Sequence, residues 1–292
     1  MTRYAFFLGC HIPARVEQYE ISARAVLNGF GVELVDIPEF KCCGYPLRNI
    51  DREAFVFSSA YNLAVAESAG LDILALCKCG FGTLKEAAHL LGENADLRER
   101  TNTRLSDMGL EYRQKSQVKH FLSVLHHDVG LKNVKEKISK KYEGLNIATH
   151  YGCHALRPSD ITQFDDPVAP TIFDSLVAST GAKSVDWAHK LDCCGAPLLG
   201  INDDMSHRLT GKKLESAKKA HAHFICTACP YCQIQFDTIQ SNIPADGENG
   251  EPLAPVLYPQ LLGLAMGIPG EDLGIGMNRL DITGLKNFLT EE

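Results

Sequence analysis

Residues 41–47 read KCCGYPL and residues 192–198 read DCCGAPL, and this repeated Cys-Cys-Gly segment decides the fold of the chain. Upstream of each copy, an apolar run ends in Gly-Cys-His. Downstream of each copy, a second apolar run leads into two further cysteines. These flanking segments occupy residues 4–11 and 71–79 around the first copy, and residues 145–154 and 223–232 around the second.

Each half thus has three cysteine stations: the Gly-Cys-His segment, the Cys-Cys-Gly segment and the segment with two further cysteines. The numbers of residues between successive stations are similar in the two halves. They are 31 and 39 residues between the first and second stations, and 33 and 34 residues between the second and third. Three stations in the same order indicate an internal duplication with a period of about 150 residues. The first cysteine set comprises Cys10, Cys42, Cys43, Cys77 and Cys79, and the second cysteine set comprises Cys153, Cys193, Cys194, Cys229 and Cys232.

The segments between the stations carry helical patterns, most clearly at residues 14–29, 53–69 and 206–221. Short apolar runs that alternate with helices predict βαβ units, so each half is expected to be a small parallel sheet flanked by helices. In such sheets, ligands gather at the carboxyl ends of the strands, where all the stations would lie. We predict an α/β protein of two similar domains, residues 1–143 and 144–292, related by a pseudo-twofold duplication.

Three further segments complete this organisation. A polar stretch at residues 96–117, followed by a helical segment to about residue 141, is expected to join the halves. Residues 242–252 are expected to form an exposed loop, and residues 255–268 to pack back on the second domain as a core helix.

Composition excludes several classes of protein. The 292 residues are 45% hydrophobic and 22% charged, which indicates a globular protein with a core. The net charge of −7 argues against nucleic acid as a partner. No apolar stretch is long enough for a membrane span, and the apolar start is too short for the core of a signal peptide, so a cytoplasmic protein is expected.

Eleven cysteines in a reducing compartment are expected to be metal ligands or catalytic thiols rather than disulfides. Thiolates at this density select zinc, copper(I) or iron–sulfur clusters. Zinc needs only four ligands, whereas a polynuclear cluster accommodates an adjacent cysteine pair by giving each thiol a different iron. These patterns favour iron–sulfur clusters over zinc. The closely spaced run of four cysteines typical of ferredoxins is absent from the sequence.

The motif Cys, Cys-Cys-Gly, CxxC, present twice, resembles the cysteine-rich CCG domain. Nearly the whole chain is similar to the B subunit of heterodisulfide reductase from methane-producing archaea. Besides the stations, the similarity covers residues 86–91 (EAAHLL) and 260–267 (QLLGLAMG).

This resemblance implies two non-cubane [4Fe-4S] clusters, each ligated by the five thiols of one cysteine set and facing the other across a substrate cleft. The implied substrate is the mixed disulfide of coenzyme M and coenzyme B, whose two sulfurs are captured one at each cluster. The implied partners are two further polypeptides of an electron-transfer complex of methanogenesis, namely a ferredoxin-like iron–sulfur protein and a flavin-containing protein.

The chain departs from the family motif at its third station, where residues 77–80 read CKCG in place of CxxC. Gly80 stands where the second cysteine is expected. Cys79 therefore either reaches the first cluster through an altered loop, or leaves that cluster with one ligand fewer. The eleventh cysteine, Cys226, has no counterpart in the first half, and we expect a small buried thiol there.

Two histidines, His11 and His154, follow a predicted ligand cysteine at matching positions of the repeat. Each is a candidate proton donor for the leaving thiols, or else donates a hydrogen bond to cluster sulfur or backbone. The cations near the stations could bind the sulfonate, phosphate and carboxylate groups of the two coenzymes, although each one taken singly reads as an ordinary solvated charge. These cations are Arg15, Lys41, Lys78 and Arg157.

Two other functions are compatible with the pattern. One is a heterodisulfide-reductase-like CCG component of another oxidoreductase, acting in sulfur-compound metabolism or in a glycolate or quinone-linked dehydrogenase. The other is a structural zinc scaffold, which would be colourless and redox-inactive.

Overall fold

Two four-stranded parallel sheets with the same strand order form the centre of the molecule. The structure is a computed structural model and describes residues 2–243 and 251–291. The strands of the first sheet are β1 (Arg3–Phe7), β2 (Glu33–Val35), β3 (Asp72–Ala75) and β4 (Val118–His120), in the order β2-β1-β3-β4. Those of the second sheet are β6 (Asn146–Thr149), β7 (Lys183–Ser184), β8 (Phe224–Thr227) and β9 (Pro255–Leu257), in the order β7-β6-β8-β9. The predicted duplication of a small α/β unit is therefore confirmed.

Helices cover these sheets. In the first half they are α1 (His11–Arg15), α2 (Glu17–Gly29), α3 (Arg52–Ser68), α4 (Lys78–Glu93), α5 (Ala95–Ser106), α6 (Phe121–Ser123), a π-helical segment (Val124–Gly130) and α7 (Leu131–Glu136). In the second half they are α8 (Ser159–Thr162), α9 (Ile172–Ser179), α10 (Asp203–Lys219), α11 (Pro230–Asp237) and α12 (Tyr258–Ala265). The three helices predicted from periodicity correspond to α1–α2, α3 and α10.

Matching caps begin the two helices that follow the Cys-Cys-Gly segments. The carboxylate of Asp51 accepts a hydrogen bond from the backbone N–H of Ala54 at 2.9 Å, and the side chain of Asn202 accepts one from Met205 at 3.0 Å. An oxygen-bearing side chain at this position satisfies an N–H that the helix itself leaves unpaired. The two caps are 151 residues apart, so α3 and α10 begin at the same place in the repeat.

The segment expected to join the halves belongs largely to the first one. Residues 96–117 include most of α5, which packs against α3 and α4. Directly after them, β4 pairs in parallel with β3 to complete the first sheet. The sequence did not predict β4, because a three-residue strand is too short to show an apolar pattern. The exposed loop predicted at residues 242–252 lies mostly outside the described residues.

The carboxyl-terminal region packs on both halves. β9 joins the second sheet, but α12 lies against α2 of the first half, and the Nε2 atom of Gln18 donates to Asn278 at 3.1 Å. A two-stranded antiparallel sheet also pairs β5 (Lys140–Tyr142) with β10 (Leu289–Glu291). One hydrophobic core runs through both halves, so the domain boundary after residue 143 stays a prediction.

Candidate metal centre

Both Cys-Cys-Gly segments turn through a glycine in the left-handed region. Gly44 has φ +88° and Gly195 has φ +94°. A Cβ atom at Gly195 would lie 2.6 Å from the carbonyl oxygen of Ser206, and one at Gly44 would lie 2.9 Å from Cβ of Ser58. Glycine is therefore required here both by conformation and by the close approach of the following helix. The turn at Gly44 places its cysteine pair in one cavity with Cys10 and Cys77, which follow β1 and β3.

The helix after each turn fixes the backbone of the cysteine pair by hydrogen bonds at equivalent positions. The Ser59 hydroxyl donates to the carbonyl of Cys43 at 2.7 Å. The Thr210 hydroxyl donates to the carbonyl of Cys194 at 2.9 Å. Both hydroxyls come 16 residues after the cysteine they hold. These bonds orient the loop without using the thiols, which remain free to bind metal.

The five thiols of the first cysteine set line one cavity, which also touches Tyr45, Pro230 and Tyr231. A hydrogen bond from Cys43 lowers the pKa of the Cys42 thiol to about 5, although burial acts in the opposite direction. The Cys10 thiol also hydrogen-bonds to Cys42, and burial raises its pKa. The structure therefore brings together three stations that are far apart in the sequence.

The thiols of the second cysteine set form a continuous chain of contacts. Hydrogen bonds from Cys153 and Cys194 lower the pKa of Cys193, and a hydrogen bond with Cys193 raises that of Cys194 to about 12. Cys194 in turn hydrogen-bonds to Cys232, whose pKa is raised. The Nε2 atom of the buried His150 lies 3.2 Å from the Sγ atom of Cys232.

The two sets meet at Cys229. Its Sγ atom lies within 4.8 Å of those of Cys77 and Cys79, although these belong to the other half. Burial raises the pKa of the Cys229 thiol, but hydrogen bonds with Cys232, Cys77 and Cys79 outweigh it and hold the pKa well below its usual value. The two sites are therefore adjacent across the interface between the halves.

The altered third station forms the amino-terminal turn of α4. Cys77 is the cap of this helix, and its sulfur accepts the backbone N–H of Gly80 at 3.4 Å. Cys229 stands at the same cap position of α11, so Gly80 occupies the position of Cys232. Cys79 faces the first cavity all the same, and its Sγ lies 3.0 Å from Nδ1 of His154.

Each predicted proton-donor histidine packs on a tyrosine of the opposite half. The ring centroid of His11 is 4.1 Å from that of Tyr231, and the ring of His154 is 5.1 Å from that of Tyr45. No role for either tyrosine was predicted from the sequence. Their positions directly after Cys-Cys-Gly and inside the CxxC motif were the only available indication.

The predicted cations differ in their surroundings. Arg15, Lys41 and Arg157 are at least partly exposed, as expected of solvated charges. Lys78 is 2% exposed, and its Nζ atom donates to the carbonyls of His150 and Tyr151. The expectation of a solvated charge was therefore wrong for Lys78. Cys226 is fully buried in β8, which agrees with the expectation of a small buried thiol.

The donor set suits an iron–sulfur cluster better than a single ion. Each half gathers five thiols, and thiolates are the ligands of both zinc and iron–sulfur clusters. A zinc ion takes four ligands, whereas the adjacent cysteine pairs and the unbroken chain of thiols offer more sulfur than one ion binds.

Two segments, residues 4–85 and 147–237, match the family of the cysteine-rich CCG domain. The chain belongs to this family.

Among its curated relatives, the B subunit of the ferredoxin:CoB-CoM heterodisulfide reductase of Methanosarcina mazei is 34% identical over 285 residues, which cover 95% of this chain and 94% of the relative. A protein of Archaeoglobus profundus, described as like the B subunit of heterodisulfide reductase, is 31% identical, with 93% of each chain covered. The 8-methylmenaquinol:fumarate reductase membrane anchor subunit of Wolinella succinogenes is also 31% identical, covering 97% of this chain and 98% of the relative.

One solved structure, that of a hypothetical protein from Helicobacter pylori, superposes with a TM-score of 0.77 over 97% of this chain at 18% identity. This chain spans 52% of that longer one, and the likeness concerns the fold alone. No helix within residues 2–243 and 251–291 is both long enough and apolar enough to cross a membrane.

Proposed function

We propose that this chain is the catalytic subunit of a heterodisulfide reductase, which reduces the coenzyme M–coenzyme B disulfide to two thiols. The observation that carries the proposal is the meeting of two five-cysteine sets at Cys229, in a chain that matches the B subunit of such an enzyme over nearly its full length. The overall reaction takes up two electrons and two protons: R–S–S–R′ + 2e⁻ + 2H⁺ → RSH + R′SH. Two adjacent sites match a substrate with two adjacent sulfurs.

Each cysteine set would hold one non-cubane [4Fe-4S] cluster, with Cys10, Cys42, Cys43, Cys77 and Cys79 at the first site and Cys153, Cys193, Cys194, Cys229 and Cys232 at the second. When bound, these clusters supply one-electron transfer and iron atoms that bind sulfur. The chain keeps the ligand loops in place through Gly44, Gly195, Ser59 and Thr210, by the contacts described above.

The protons would come from His11 and His154, which follow the first stations and lie at the interface between the halves. Burial lowers the pKa of both imidazoles, so each ring would hold an extra proton only transiently and pass it on readily to a thiolate. Packing against Tyr231 and Tyr45 limits how each ring can turn. The solvent-accessible Arg15 and Arg157 remain available for the anionic groups of the coenzymes.

Electrons would arrive from the ferredoxin-like C subunit of the same complex, supplied in turn by the flavin-containing A subunit. Support for such an assembly comes from the relatives, which are named as subunits. The sequence itself has no ferredoxin-type run of cysteines, so we expect the electrons to come from another polypeptide.

A second candidate function rests on the Wolinella relative, which covers this chain as fully as the archaeal relatives do. The chain would then be an iron–sulfur component of a reductase with a different substrate. The CKCG departure at the first site is compatible with this alternative.

The test is iron and acid-labile sulfide analysis of anaerobically purified protein, followed by a dye-linked assay with the heterodisulfide. We expect about eight irons and eight sulfides per chain, with both thiols released. A full iron load with an inert disulfide would favour the second candidate. Zinc without sulfide would exclude both.

A further inference from the structure

Two lysines are buried in the part of the chain that the structure describes, and both lie beside the second cysteine set. Lys78 is 2% exposed and Lys213 is 1% exposed. A buried ammonium group is expensive unless it is hydrogen-bonded and close to negative charge. The surroundings of these two side chains therefore indicate where negative charge is expected in the working protein.

Lys78 originates in the first half and reaches into the second. Its Nζ atom donates to the carbonyl oxygen of His150 at 3.2 Å and to that of Tyr151 at 2.7 Å, and it lies 5.2 Å from the ring centroid of Phe173. These carbonyls belong to the strand end that leads into Cys153. The thiols that act most strongly on Lys78 are Cys232, Cys229, Cys226 and Cys153, and all four belong to the second half.

Lys213 approaches the same set from α10. Its Nζ atom donates to the carbonyl oxygens of His189 and Asp192, the latter at 3.0 Å and directly before Cys193. Its Nζ lies 4.8 Å from the ring centroid of Trp187. Burial lowers the pKa of Lys213 to about 8, which leaves the ammonium form prevalent at neutral pH. The two lysines thus hold the backbone in front of Cys153 and of Cys193.

Neither lysine has a counterpart at the matching position of the other half. In the first half, the position that corresponds to Lys213 is Asn62, because each residue comes 19 residues after the second cysteine of its pair. The side-chain amide of Asn62 donates a hydrogen bond to the carbonyl of Cys42 at 3.1 Å. The residue after the helix-capping cysteine is Lys78 in one half and Pro230 in the other.

Lys78 lies between Cys77 and Cys79 of the first cysteine set in the sequence, but its Nζ atom reaches carbonyl oxygens of the second half. The other cations around the first cysteine set differ from the two buried lysines. Lys41 and Arg15 are at least partly exposed, and Arg48 forms an ion pair with Glu86 at 2.6 Å. Solvent and a partner carboxylate weaken the field of such cations, whereas a buried charge acts through a medium of low dielectric constant. The electrostatic potential at the second cysteine set is therefore more positive than the potential at the first cysteine set.

A cluster gains one negative charge when it is reduced, so a nearby fixed cation stabilises its reduced form and raises its reduction potential. We propose that the two sites are electrochemically inequivalent, with the second site at the higher potential, and that Lys78 and Lys213 are the positioning residues that make it so. With a cluster bound at each site, the first electron lost by a ferredoxin-type donor would be held at the second site, and no bond would form or break.

This inference rests on the proposed function, since it requires a cluster at each site. The experiment is a redox titration of the full chain with dithionite and mediators, followed by electron paramagnetic resonance. The variants are Lys213→Asn, which installs the residue of the first half, and Lys78→Met. The matched control is Lys41→Met, which removes a lysine beside Cys42 that solvent reaches.

We expect two midpoint potentials in the native chain. Lys213→Asn and Lys78→Met should each shift the higher potential downward and leave the lower one in place. Lys41→Met should shift neither by a comparable amount. Lys78→Arg, which keeps the charge, should restore the potential lost in Lys78→Met, whereas a loss of packing alone would not be restored in this way.

Two coincident potentials, or variants that move the lower potential, would overturn the inference while the iron content still supports the proposed function. A native chain without iron and sulfide would overturn both. Iron content and near-ultraviolet circular dichroism establish that each variant is folded. If Lys213→Asn does not fold, the comparison of Lys78→Met with Lys78→Arg decides.

Discussion

The Nδ1 atom of His154 lies 3.0 Å from the Sγ atom of Cys79, so a histidine of the second half contacts a thiol of the first. Cys79 is the residue that departs from the CxxC motif, and its neighbour Gly80 stands where a ligand is expected. The contact places the Cys79 thiol at the interface between the halves, beside Cys77 and Cys229. The altered loop therefore keeps a fifth thiol within reach of the first site.

Replacement of Cys79 tests this arrangement. Cys79→Ser should reduce bound iron and sulfide to about half, because the first site loses a ligand while the second keeps all five. Cys226→Ala is the matched control, since Cys226 is buried in β8 and belongs to neither set; it should retain the full load. Iron and sulfide analysis of the anaerobically purified variants measures the cluster load of Cys79→Ser and of Cys226→Ala. A full iron load in Cys79→Ser would show that the first site uses only four thiols.

The hydroxyl of Thr210 provides a test of the loop that carries Cys193 and Cys194. Thr210→Val removes the donor to the Cys194 carbonyl and the acceptor for the amide of Gln235, which lies 2.7 Å away. Unpaired buried polar groups cost about 1–3 kcal/mol, so we expect a loss of that size in the free energy of unfolding. Thr103→Val on α5, whose exposed hydroxyl bonds within its own helix, should change stability by no more than about 0.5 kcal/mol.

Urea denaturation of the two threonine variants under anaerobic conditions supplies the comparison. The same experiment on Ser59→Ala should show a loss in the same direction, because Ser59 holds Cys43 as Thr210 holds Cys194. Unchanged stability in both Ser59→Ala and Thr210→Val would mean that the cysteine loops are held by the metal alone.

Stability should fall with acidity in a way that depends on His120. Burial, followed by the nearby charge of Lys78, lowers the pKa of His120 to about 3, against an ordinary value of 6.5. Its Nε2 donates to the carbonyl of Leu76, and its Nδ1 accepts the N–H of Leu122, so both nitrogens are used in the neutral form. Below pH 6.5 the unfolded chain binds a proton that the folded chain does not, so folding stability is lost as the pH falls from 6.5 toward 3.

The expected loss attributable to His120 is roughly 1 kcal/mol between about pH 6.5 and 5.5. His120→Asn retains a side chain that can cap the Leu122 N–H but removes the titrating ring, so its urea midpoint should depend less on pH over this interval. Parallel profiles for the native chain and His120→Asn would show that the histidine becomes protonated without unfolding.

Spacing and residue type were sufficient to predict the duplicated α/β fold and the grouping of stations at one sheet edge. The two Cys-Cys-Gly segments are 151 residues apart, and so are Ser59 and Thr210 in the helices that follow them. Such features are local, because a turn, its glycine and the next helix are continuous in the chain. The three-residue strand β4 was missed since only its pairing with β3 distinguishes it from a loop.

Contacts between the halves could not be predicted from the sequence. Cys229 was assigned to the second cysteine set alone, yet it also touches Cys77 and Cys79. Lys78 was expected to be solvated, yet it inserts into the other half. A repeat specifies each unit but not the surface along which two units pack, and these contacts arise from that surface.

The closeness of the two halves itself can be tested at Gly82 on α4. A Cβ atom there would lie 2.7 Å from the carbonyl oxygen of His154, a backbone atom of the opposite half, so Gly82→Ala must force the halves apart. Overpacking of this kind costs about 1–3 kcal/mol, and the contact between His154 and Cys79 should weaken with it.

Gly92→Ala on the same helix is the matched control, since its Cβ would meet only the side chain of Gln114 at 3.3 Å. In Gly92→Ala the gain in helix propensity should stabilise the chain by about 0.5–1 kcal/mol. Thermal unfolding of both variants measures the change in stability, and the electron paramagnetic resonance spectrum of each reports the change at the two cysteine sets. Equal stability and identical spectra would mean that the halves are not held at this distance in solution, and that the two cysteine sets act as independent sites.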